Sequence, residues 1–174
     1  LSQSSREDFE KNNILSFLYS NKVHVFPLGV EMRVTEHIPP NSLIDKTKIN
    51  MVYFSQLRAA KGHAAIIDSV KLLPPDIREK INIDFYGEGP SENILKSEVQ
   101  SSDLGEVITF RGVIDREHVP AVMAQYDVAF AVSYMETLGH CYIEPAVIGL
   151  PIIGTRVGVG AELVIDGQTG YVVE

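Results

Sequence analysis

The sequence predicts an α/β fold, a doubly wound parallel sheet of five or six strands covered by helices on both faces. Two observations carry this. From residue 50 onward, short β-branched and aromatic runs alternate with longer stretches of helical period. The spacing between runs leaves room for one crossover helix each time, which makes consecutive strands parallel and buries the sheet.

Taken in order, the chain opens with Ser4 three residues before Glu7, a capping-box spacing. Apolar residues at Phe9, Ile14, Leu15, Phe17 and Leu18 extend that start into a helix over about 4–19. "KVHVFPLG" reads as a short strand stopped by Pro27 and Gly29. Residues 32–48 are polar, contain Pro39-Pro40, and read as a linker. The regular alternation then begins. "NMVYFS" (50–55) is a buried strand and "KGHAAIIDSVKLL" (61–73) a helix; "INIDFYG" (81–87) and "SENILKSEVQ" (91–100) repeat the pair. "VITFRG" (107–112) precedes a helix over 116–125, and "DVAFAVS" (127–133) precedes a second helix. "LPIIGT" (150–155) and "TGYVVE" (169–174) supply the last strands.

Composition narrows the function. The chain has 174 residues, 45% hydrophobic and 22% charged, enough for one domain with a real core. No apolar run approaches the roughly 20 residues of a membrane span. The opening "LSQSSREDFEK" lacks a signal-peptide pattern, and a lone Cys141 excludes an intrachain disulfide or a cysteine metal cluster. A reducing cytoplasm is the expected setting, with peripheral attachment to the inner membrane face left open. The net charge of −8, without a basic run, excludes a nucleic-acid stripe. The five His residues show no zinc-ligand spacing, so no metal cofactor is expected.

Parallel sheets of this kind bind ligands beyond the carboxyl ends of their strands. That directs attention to three strand-to-helix turns: "SQLRAAKGH", "GEGPSE" and "YMETLGHCYIE". In the third, Gly139 permits close backbone approach, and the amides of Leu138 to Cys141 begin a helix whose free N–H groups suit an anion. Plainer readings stand beside these. Lys61 is equally the first polar residue of an amphipathic helix, "GEGP" an ordinary turn, and His140 a helix-cap or packing residue. Gly87-Glu88-Gly89 is too short for a dinucleotide fingerprint. Glu144 is harder to dismiss. It sits among Ile143, Ala146, Val147 and Ile148, where an unpaired carboxylate is costly and sugar hydroxyls would serve as donors. Pattern reading by itself reaches a sugar or nucleotide site.

At these residues the sequence resembles the donor-binding half of glycosyltransferase family 4, the retaining enzymes of GT-B fold. The family's pair of glutamates, separated by seven residues, stands here as "ETLGHCYIEPAVIGLPI", from Glu136 to Glu144 and beyond. "IDFYGEGPSENILKSEV", "LGEVITFRGVIDREHVPAVMAQYDVAFAVS" and "GTRVGVGAELVIDGQTGYVV" match further family segments in order. The resemblance implies a Rossmann-like domain over 49–174 and a hexosyltransferase that uses a nucleotide sugar as co-substrate. It implies that Glu144 holds the ribose and Glu136 faces the transferred sugar. The amides of Leu138, Gly139 and His140 would bind sugar and diphosphate, Lys61 would neutralise the leaving group, and the backbone near Val113 would meet the base. Gly87 belongs to the family's second turn.

Three positions depart from the family pattern. Gln56 occupies the usual arginine position, with Arg58 two residues on as a substitute. Leu28 replaces a usual asparagine. Pro145 replaces the usual alanine, which predicts a helix that starts late or bends there. Residues 1–31 are expected to be the tail of an acceptor-binding N-terminal domain, and the family's terminal helices are expected to lie beyond this sequence. The chain would then be half an active site, unable to transfer sugar alone. A nucleotide-sugar epimerase or phosphorylase of the same fold, and a catalytically silent binding subunit, are the rival readings.

Overall fold

The computed structural model describes residues 45, 47–136 and 138–174. The helix expected over 4–19, the strand at "KVHVFPLG" and nearly all of the linker lie outside them. Six parallel strands form one sheet in the order β3-β2-β1-β4-β5-β6. They are β1 (Ile49–Phe54), β2 (Ile81–Tyr86), β3 (Ile108–Gly112), β4 (Val128–Ala131), β5 (Ile152–Gly154) and β6 (Gly170–Val172). The helices are α1 (His63–Leu72), α2 (Pro75–Arg78), α3 (Glu92–Ser101), α4 (Val119–Met123), α5 (His140–Val147) and α6 (Gly160–Leu163). The doubly wound sheet is the one the alternation predicts.

Each strand's pleat sends alternate side chains to opposite faces. Tyr53, Ile83 and Phe85 therefore join Ile66, Ile67 and Val70 of α1 and Leu95 and Val99 of α3 in the larger core. Val52, Tyr86 and Ala129 face the other way, against Met123 of α4 and Tyr126. Asn50, almost fully buried at the start of β1, donates from Nδ2 to the carbonyls of Asp45 and Lys48. Its backbone N–H donates to the Asp127 carboxylate at 2.8 Å, tying β1 to the entry of β4.

The helix expected after β4 begins at His140, directly after Gly139, and passes through Pro145 to Val147. Of the two outcomes expected from Pro145, a late start or a bend, the late start does not occur. Proline at this point removes one backbone donor, and α5 ends two residues later, so little of the hydrogen-bond ladder is lost.

The strand order reverses between β1 and β4, and the turns after these strands are held together by backbone. The Tyr134 N–H donates to the Ala60 carbonyl at 2.8 Å. Gly62, at φ 69°, is so close to the end of β4 that a Cβ on it would lie 1.9 Å from the Val132 carbonyl oxygen. On the other side, Ser55 and Leu57 donate to the Tyr86 and Glu88 carbonyls, and Gly87 donates to Gly112. Four strand-to-helix turns thus form one continuous rim.

Gly149 shares the left-handed conformation, at φ 75°, but has open space around it. Gly149→Ala is expected to cost only the conformational strain, about 1–2 kcal/mol. Gly62→Ala adds a backbone collision and is expected to cost roughly 2–5 kcal/mol. Chemical denaturation of the two variants checks the ranking.

Candidate active site

Lys61 ends a short 3-10 turn, Ala59–Lys61, and Glu136 lies in the loop between β4 and α5. The reversal of strand order brings them together. Lys61 Nζ pairs directly with Glu136 Oε1, and both side chains are largely buried. Ser133 Oγ donates to the same oxygen at 3.1 Å, and the Cys141 thiol lies 3.6 Å from it. Burial and the nearby Glu136 carboxylate push the Cys141 thiol up to about 12, so it remains protonated. All these contacts fall on Oε1.

Around the pair is a concavity of about 400 Å³ lined by Phe54, Ser55, Gln56, Leu138, Gly139 and His140. Gly139, at φ 76°, turns the chain into α5, so the first amides of that helix open here. A second concavity, about 290 Å³, shares Phe54, Ser55 and Gln56 and continues over Gly87, Glu88, Val113 and Ile114. Together they make one trough along the carboxyl edge of the sheet.

The second concavity has an aromatic floor. Phe54 and Tyr86 stack with centroids 4.4 Å apart. Beneath them, Tyr126 Oη donates to Asp84 Oδ2 at 2.6 Å and approaches Tyr86 Oη at 3.2 Å. Arg111 Nε lies 2.9 Å from the same Asp84 oxygen. Asp84 is almost fully buried, and this pairing compensates its charge. None of these residues was singled out from sequence, although an aspartate within the buried run "INIDFYG" requires partners.

The predicted site residues distribute as follows. Lys61, Glu136, Leu138, Gly139 and His140 share the first concavity, and Gly87 and Val113 line the second. Arg58 is exposed and lines neither, whereas Gln56 lines both. Glu144 lies one turn into α5, its side chain 14% exposed, with His140 Nδ1 3.8 Å from Oε1. Among the described residues, no donor is within hydrogen-bonding distance of its carboxylate. Burial raises the Glu144 pKa, opposed by the positive charges of His140 and Arg116. Ser133, Tyr53 and Cys141 complete the surroundings of Glu136 and were not foreseen. Only their convergence in space marks them. Among the described residues, no three His, Cys, Asp or Glu side chains are arranged to hold a metal ion. No described helix is long and apolar enough to cross a membrane.

Residues 34–174 match the family described as "Glycosyl transferases group 1". A D-inositol 3-phosphate glycosyltransferase of Arthrobacter sp. (strain FB24) is 26% identical over 160 residues, 87% of this chain and 38% of its own length. A GDP-mannose-dependent alpha-(1-6)-phosphatidylinositol monomannoside mannosyltransferase of Mycolicibacterium smegmatis is 32% identical over 137 residues, 71% of this chain and 34% of its own. Among solved structures, the pneumococcal O-GlcNAc transferase GtfA in complex with UDP and GlcNAc matches with a TM-score of 0.68. That match is 22% identical and covers 94% of this chain and 32% of the other. The chain therefore spans little more than a third of the length of these relatives.

The raised Glu144 pKa has a stability consequence with a definite sign. As pH rises past 4.5, the ordinary glutamate value, the unfolded chain releases this proton before the folded chain does. The native state thus loses stability through that window and stays penalised above it. Glu144→Gln is expected to melt above the wild type near neutral pH, and the difference should close on acidification below the ordinary glutamate range. Melting curves across pH check it.

Proposed function

The chain belongs to the group 1 glycosyl transferases, and from that premise we propose that it is the donor-binding half of a retaining, hexose-transferring enzyme that uses a nucleoside-diphosphate sugar. One observation carries the reading: Lys61 and Glu136 meet in a concavity at the reversal of strand order, beside the open amides of α5. A cation, a row of free N–H groups and a carboxylate are the complement of a diphosphate joined to a sugar.

In this proposal the diphosphate lies along the first amides of α5 and draws Lys61 toward it. The bond between the anomeric carbon and the diphosphate oxygen breaks, and the leaving oxygen's growing charge is neutralised by Lys61 and those amides. No metal ion is assigned a part. Glu136 accepts hydrogen bonds from the sugar hydroxyls near the reacting carbon. The acceptor hydroxyl adds to the face the diphosphate leaves and passes its proton to the departing diphosphate oxygen as the new bond forms, and the configuration is kept. Glu144 accepts from the ribose hydroxyls, which supplies the donors its buried carboxylate lacks. The base occupies the second concavity near the Val113 backbone, over Phe54 and Tyr86.

The mannosyltransferase relative is GDP-mannose-dependent and the structural neighbour holds UDP, so both bases belong in the test. The acceptor is assigned to an N-terminal domain of the enzyme's own, facing the trough. Closure of such a domain would exclude water and strengthen Lys61's action on the diphosphate. The acidic, single-cysteine chain suits the cytoplasm.

Calorimetry with UDP, GDP and their sugars, together with transfer assays on the intact enzyme, tests the assignment. Glu144→Ala is expected to weaken nucleoside-diphosphate binding by about 1.5–3 kcal/mol, the value of a hydrogen bond to a charged group. Glu136→Ala should leave that binding undiminished, because it frees Lys61 for the phosphates, while transfer falls. Equal damage to nucleotide binding by both substitutions would refute the division of roles.

A further inference from the structure

Two fully buried hydroxyls lie beneath Glu136. Tyr53, in β1, and Ser133, just past the end of β4, are both 0% exposed, and their oxygens are 3.2 Å apart. Ser133 Oγ is 3.1 Å from Glu136 Oε1. A carboxylate only accepts, so the Ser133 proton points to Glu136. A hydroxyl has one proton, so the proton between the two hydroxyls comes from Tyr53. Burial raises the Tyr53 pKa, which keeps it a phenol and a donor. The chain therefore runs in one direction, from Tyr53 to Ser133 to Glu136.

Neighbouring groups hold this relay in place. The Tyr53 ring stacks on His63, centroids 4.6 Å apart, inside the larger core. Thr155 Oγ1 donates to the Ser133 carbonyl at 2.6 Å, fixing the backbone that carries the hydroxyl. Lys61 holds the same Glu136 oxygen but comes from a partly exposed turn, 22% accessible at its side chain. Of the groups on Oε1, Lys61 is the one the diphosphate would recruit.

We propose that Ser133, backed by Tyr53, is a positioning residue that keeps Oε1 of Glu136 anchored when Lys61 turns to the diphosphate, so that Oε2 is presented to the donor sugar. The inference rests on the transferase reading above. It separates two functions that overlap in the unliganded site: Lys61 serves the leaving group, and the hydroxyl relay serves the carboxylate.

The test uses the full-length enzyme with Ser133→Ala, Tyr53→Phe and each of these combined with Glu136→Ala. Transfer kinetics, nucleoside-diphosphate affinity and melting temperature are measured for all. Ser133→Ala is expected to lower kcat about ten- to a hundredfold, the effect of losing a hydrogen bond to a charged group. Nucleoside-diphosphate Kd should stay within about twofold, because that affinity belongs to groups outside the relay. Tyr53→Phe should lower kcat by a smaller factor, about three- to tenfold, since Ser133 still donates. Neither substitution should slow the enzyme further once Glu136 is alanine. If Ser133→Ala does not fold, Tyr53→Phe and its pairing with Glu136→Ala decide the matter alone. Wild-type kcat in the folded single variants, or equal losses with and without Glu136, overturns the proposal. A wild-type enzyme that transfers sugar from no nucleotide sugar overturns the functional reading itself, and this inference with it.

Discussion

Gly62 approaches the end of β4 so closely that any side chain there would strike the Val132 carbonyl. That backbone contact lets the turn after β1 lie against the turn after β4, where strand order reverses. The Tyr134 to Ala60 hydrogen bond seals the approach. Lys61 is the residue before Gly62, and Glu136 is two residues beyond Tyr134. Their pairing across 75 positions of sequence therefore follows from backbone packing, with the side chains completing a geometry already set. The same rim extends through Ser55, Gly87 and Gly112, which aligns the second concavity with the first.

The two glutamates share a motif but occupy different electrostatic environments. Glu136 has Lys61, Ser133 and Cys141 on one oxygen. Glu144 is also largely buried, yet its nearest described partner is the His140 ring at 3.8 Å, and burial disfavours its charge. A satisfied carboxylate is already oriented, whereas an unsatisfied one gains most from ligand hydroxyls. This difference is the physical basis for the proposal that Glu136 acts near the reacting carbon and Glu144 serves affinity.

The sheet was readable because apolar runs and helical periods seldom mislead when they alternate so regularly. The trough was readable in outline, since a parallel sheet opens its turns on one edge and three turns carried glycine, lysine or glutamate. Less could be read of how those turns meet. Lys61 and Glu136 were expected to serve different parts of a ligand, and their mutual pairing depends on the Gly62 approach, which no spacing encodes. Arg58, two residues beyond Gln56, reads from sequence as a substitute cation; it is exposed and lines neither concavity, while Gln56 lines both. Pro145 predicts a late start or a bend because propensity treats each helix interior alike. In a helix of eight residues, losing one donor near the end matters less.

Tyr142 shows how the N-terminus of α5 is held to the same frame. Its ring is fully buried, and a Cβ on Gly139, Gly154 or Gly160 would lie within 3.0 Å of it. The three glycines thus make room for one aromatic side chain at the junction of α5, β5 and α6. Thr155 spends its hydroxyl proton on the Ser133 carbonyl, so Tyr142 gives its own proton to Thr155. Burial pushes the Tyr142 pKa up to about 12, which keeps that proton in place. The helix that offers its amides and the serine beneath Glu136 are consequently joined through Thr155 to a single buried ring. The α5 amides and the carboxylate then keep their spacing as a unit, and in the proposed function the adjustment to a diphosphate is left to the longer, partly exposed side chain of Lys61.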